Sequence, residues 1–149
     1  MSTLLGAVIG VGSTLIADRI SWRRERAGQS LDVRRQLYAD YTAALSRMRT
    51  ALNECVQADI PAEERPLRVR DLFLAPGAYE IRHQLAIIAP QDVVEASRAA
   101  FVVLRDMRDL LLDGAADEAA AHRALEDEFD SVVAALRKVM RRDLGVPDA

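Results

Sequence analysis

Fifteen consecutive residues near the start, Thr3 to Ala17, carry no charge. A stretch that apolar must be buried against protein or inserted into lipid. As a helix rising 1.5 Å per residue it covers about 22 Å, short of the ~30 Å hydrocarbon core. Extension through Trp22 gives about 30 Å, provided Arg19 snorkels and Trp22 lies among the headgroups. Asp18 then belongs at the interface, because a carboxylate in hydrocarbon is costly.

Two other readings compete. A cleaved signal peptide needs a basic start and a small-x-small cleavage site, but Met1 to Thr3 carry no basic side chain and no A-x-A sequence follows the apolar run. A core helix suits the length, but Gly6, Gly10 and Gly12 weaken a helix in water and are common in membrane helices. The expectation is therefore a transmembrane anchor over residues 1–22. No Lys or Arg precedes it, whereas Arg19, Arg23, Arg24 and Arg26 follow, which places the N-terminus outside and the C-terminal bulk in the cytoplasm. Arg19, Trp22, Arg23, Arg24 and Arg26 are the expected membrane-interface residues, with lipid headgroups as their partners. Gly6 and Gly10 form a G-x-x-x-G pair that would let two anchor helices approach and form a homodimer. Gly10 and Gly12 do not make a nucleotide loop, since no third glycine and no Lys-Ser or Lys-Thr follows.

Beyond Trp22 the pattern is helical. Tyr38, Tyr41, Leu45, Met48, Leu52 and Cys55 recur at spacings of three and four, with Leu31 one heptad earlier and Arg34 as the polar exception. Asp59, Pro61 and Pro66 end this helix. A short apolar piece, 67–75, stops at Pro76 and Gly77. A short helix over 78–89 carries Ile81, Leu85 and Ile88 on one face. Pro90 and Asp92 open a longer helix with Val94, Ser97, Phe101, Leu104 and Leu111 in phase, capped by Gly114. The last helix, 117–143, presents Leu125, Phe129, Val132, Leu136, Val139 and Met140, with Gly145 and Pro147 as stop signals. The fold class is all-α: an N-terminal transmembrane helix continuing into an antiparallel helical bundle, 23–149, with coiled-coil-like packing.

Composition narrows the chemistry. The 149 residues are 50% hydrophobic with a net charge of -3, which argues against disorder and against a general nucleic-acid binder. A single cysteine excludes an internal disulfide framework, and Cys55 on the seam suits a small buried apolar role. His83 has no nearby Ser, Cys or Asp at a catalytic spacing. Glu118, His122, Glu126 and Asp130 stack at i, i+4 on one helix face, but such a stripe cannot surround an ion, so it reads as a solvated face. Acid early and base late in the last helix complements the helix dipole. No catalytic, cofactor-binding or metal residues are expected, and no cofactor.

The segments GAVIGVGSTLIADRISWRRER and VRRQLYADYTAAL, within the first 50 residues, resemble a group of small membrane proteins of streptomycetes and related actinobacteria. A looser likeness extends to APQDVVEA. The resemblance implies one N-terminal anchor, a W-R-R-x-R exit, a Y-A-x-Y/F seam and a helical cytoplasmic body, with no catalytic activity and no site residues to carry over. The functional expectation is a single-pass protein whose bundle binds another protein as an adaptor or scaffold. The alternative is a soluble helical homo-oligomer in which residues 4–17 form a buried core helix.

Overall fold

The computed structural model describes residues 5–58, 60–61, 63–113 and 118–147, with backbone alone for 5–27, 29 and 118. All regular structure among them is helical: α1 (Leu5–Gln57), α2 (Arg65–Leu74), α3 (Ala78–Ile88), α4 (Gln91–Asp113) and α5 (Glu118–Asp143). The chain divides into two compact units, Met1–Arg35 and Gln36–Ala149.

Among its described residues the first unit holds one helical segment, the start of α1. Among the described residues no helix is long and apolar enough to cross a membrane. This overturns the transmembrane anchor over 1–22, and with it the single-pass topology, the outside N-terminus and the membrane localisation. The physical reason lies in the charges. Asp18 and Arg19 end the uncharged run about 8 Å short of the hydrocarbon thickness. Arg23, Arg24, Glu25 and Arg26 then allow no further apolar extension. Gly6, Gly10, Arg19, Trp22, Arg23, Arg24 and Arg26 all fall on α1, and their side chains lie outside the described residues.

The second unit is a helical bundle. Tyr38, Tyr41, Leu45, Met48, Leu52 and Cys55 are all buried, so the three–four spacing of α1 is its core stripe. Between them fall Ala39, Asp40, Ser46 and Arg47, all exposed. Tyr38 reaches Asp143, Arg49 reaches Asp130 and Asn53 reaches Glu126. Partners on α5 descend as those on α1 ascend, so the two helices run antiparallel. α4 packs along α5 and also carries α2 and α3. Its inward face is Val93, Ser97, Ala100, Phe101, Val103, Leu104, Met107 and Leu111.

Helix ends follow turn chemistry. Pro66 opens α2 instead of closing α1, because the first turn has no use for the N–H that proline lacks. The piece 67–75, with no expected structure, is the body of that helix. Gly77 starts α3 with φ of 71°. Past α5, Gly145 at φ 68° lets Val146 N–H bond to the Arg141 carbonyl at 2.9 Å and Gly145 N–H to Arg142 at 3.0 Å. These two bonds close a Schellman turn. The expected cap at Gly114 lies outside the described residues.

Candidate functional site

The carboxylate–histidine stripe of α5 is solvated only in part: Asp130 is exposed, whereas His122 and Glu126 turn toward α1. His122 is buried, 6% exposed, and lies against α1. Its Nε2 is 2.8 Å from Asn53 Oδ1, and Asn53 Nδ2 donates to Glu126 Oε1 at 2.6 Å. The carboxylate fixes the amide: turned the other way, two oxygens would meet. The Asn53 oxygen therefore accepts, and the His122 proton sits on Nε2. Nδ1 is enclosed without a partner. One turn on, Arg49 pairs with Asp130 at 2.5 Å and lies over the Phe129 ring at 5.6 Å. His122, Glu126 and Asp130 thus form a polar seam joining α5 to α1. Glu118 lies outside the described side chains. Among the described residues no group of three or more His, Cys, Asp or Glu could hold a metal ion.

Cys55 is buried, and burial pushes its thiol above the ordinary cysteine range, with Arg68 opposing. A thiol held protonated is a poor nucleophile. His83 is exposed and meets the Tyr79 ring edge-on, centroids 4.6 Å apart.

A concave feature missed by the sequence reading lies where α2, α3 and α4 meet. On α4, Arg98, Phe101, Arg105 and Arg108 recur at spacings of three, four and three, so they share one face. α3 adds Tyr79 and Arg82 at the same spacing, and α2 adds Phe73 and Leu74. Together they line a groove of about 610 Å³. Phe101 is its centre. It meets Phe73 edge-on at 5.6 Å and lies 6.1 Å from Tyr79. Arg82 sits 4.7 Å from the Phe101 centroid and 5.5 Å from that of Tyr79, and Arg108 sits 4.7 Å from that of Phe73.

Charge in the groove is only partly offset. Arg108 pairs with Asp109 at 2.6 Å, and Arg105 lies 3.6 Å from Asp106. Among the described residues no carboxylate pairs with Arg82 or Arg98, and the Arg82 Nε is enclosed without a hydrogen-bond acceptor. The Arg82 charge is held by ring faces instead. It also acts on Tyr41, whose phenol burial drives well above its ordinary range while Arg82 pulls it down. The signal was legible as an R-x-x-F-x-x-x-R-x-x-R face. Sequence alone places arginines on the solvent side by default, and here α2 and α3 add rings and a further arginine beside them.

No protein-family model, no curated protein and no solved structure matches this chain.

Proposed function

We propose that the protein is a helical interaction module that self-associates through the first third of α1, with residues 4–17 forming a core helix shared between copies. No catalytic role is proposed. The observation that carries this reading is that, among the described residues of the first unit, the uncharged run is part of α1 and no other element is present. A lone helix cannot cover its own side chains, and an apolar run of this length exposed to water would be a strong aggregation or association surface. Gly6 and Gly10, one turn apart, would let two such helices approach closely. A second copy always presents the same apolar stretch, so the match needs no other partner.

Light scattering of the full-length chain tests it. The expected result is a dimer or larger closed assembly for the natural sequence. Ile9→Glu should give a monomer with unchanged helical circular dichroism, because the charge would have to be buried between copies. A natural chain that is monomeric overturns the reading, as does an Ile9→Glu chain that keeps the same assembly.

A further inference from the structure

We propose that the groove centred on Phe101 is a binding site for a small organic phosphate monoester, its phosphate held by Arg82 and Arg98 and its ring or apolar body lying against Leu74 and Tyr79. This site lies in the second unit and is independent of self-association through residues 4–17.

Four guanidinium groups line one concavity. Like charges so gathered repel, and the arrangement is stabilised when an anion enters. Asp106 and Asp109 offset Arg105 and Arg108, which leaves the equivalent of two positive charges on Arg82 and Arg98. A phosphate monoester carries about −1.5 to −2 charge near neutral pH, which matches two cations better than a carboxylate does. Guanidinium also has the planar fork that fits phosphate oxygens in pairs.

The apolar half of the site selects the rest of the ligand. Leu74 and Tyr79 remain 53% and 48% exposed at the groove while Phe101 is nearly covered. That leaves ring and aliphatic surface beside the guanidinium groups, where a ligand ring would lose water. The groove volume falls within the roughly 300–1,000 Å³ of small-molecule sites. Arg82 is already positioned over two rings, so its ordering cost is met before a ligand arrives.

Calorimetric titration of the full-length protein with phenyl phosphate, inorganic phosphate and benzoate tests both halves. Phenyl phosphate should bind saturably and at least about tenfold more tightly than either comparison ligand. Arg98→Gln, at an exposed position, should weaken it about tenfold with the melting temperature unchanged, and Arg82→Gln should weaken it by as much or more. Arg137→Gln, on the exposed side of α5, should leave it unaltered. No saturable binding overturns the proposal. So does an Arg98→Gln protein that binds as before, or an Arg137→Gln loss equal to that of Arg98→Gln. Equal affinity for inorganic phosphate removes the apolar half, and equal affinity for benzoate removes the dianion.

Discussion

The Tyr41 hydroxyl on α1 donates to the Ser97 backbone carbonyl on α4 at 2.9 Å, and both residues are fully buried. This bond ties the core stripe of α1 to the helix that carries the arginine-lined groove. Tyr41→Phe removes it without changing shape, so urea unfolding should show a loss of about 0.5–1.5 kcal/mol at unchanged m. A variant as stable as the parent would show that the carbonyl, already inside a helix, gains nothing from the phenol.

Tyr41 also gives the fold a pH dependence. Burial raises its folded-state pKa above the unfolded value near 10, so the native state holds the proton more tightly. The contribution to stability is fully present below about pH 10 and declines as pH rises toward the folded pKa. Stability should therefore fall above about pH 10 in the natural chain, and less steeply in Tyr41→Phe. Unfolding midpoints at pH 9 to 11 for both proteins measure the difference. Parallel curves would assign the alkaline loss to other groups.

The polar seam makes a sharper demand. Asn53→Leu leaves the His122 N–H and Glu126 without their shared partner, and should cost about 1–3 kcal/mol. Replacing His122 by leucine as well removes one stranded group and should recover part of that loss. Denaturation of both single variants and the double variant gives a coupling of at least about 0.5 kcal/mol if the bond operates. Strict additivity would remove the seam as an energetic unit.

The core predicts contrasting costs on neighbouring helices. Leu104 on α4 is fully buried and Ile87 on α3 is 82% exposed. Leu104→Ala should lose about 2–5 kcal/mol, whereas Ile87→Ala should stay within about 0.5 kcal/mol. Comparable losses for the two would place Ile87 under an interface.

How far the sequence carried the fold depends on where each decision is made. The α1 stripe from Tyr38 to Cys55 was legible because it needs only one helix and its own period. On α3 the expected face holds at Ile81 and Leu85 and extends back to Ala78, but Ile88 is left 40% exposed. Ile88 is the last residue of the helix, where no further turn carries the stripe against a neighbour. The α5 stripe was misread because its partners, Arg49 and Asn53, flank the α1 core positions about 70 to 80 residues earlier. Polarity alone cannot separate a hydrogen-bonded seam from a solvated face. The arginine groove was missed for the same reason, since ring–guanidinium contacts are made between helices. Residues 1–22 fail differently: the length argument was close to its limit, and Asp18 and Arg19 decide against the bilayer.

Two glycines predict opposite signs for one substitution. Gly145 closes α5 at φ 68°, and a Cβ there would meet nothing within 4 Å. Its cost is therefore purely conformational, about 1–2 kcal/mol for alanine in the left-handed region. Gly28 lies inside α1, also with nothing within 4 Å of a new Cβ, and has ordinary helical φ. Alanine there removes backbone freedom from the unfolded chain and should favour the helix by roughly 0.5–1 kcal/mol. Thermal unfolding followed by helical circular dichroism should show Gly145→Ala melting lower than the parent. For Gly28→Ala the expected change is a gain in helical signal or melting temperature. A loss at Gly28 would mean that another surface approaches the α1 backbone closely at this point, and would place that contact between copies of the chain.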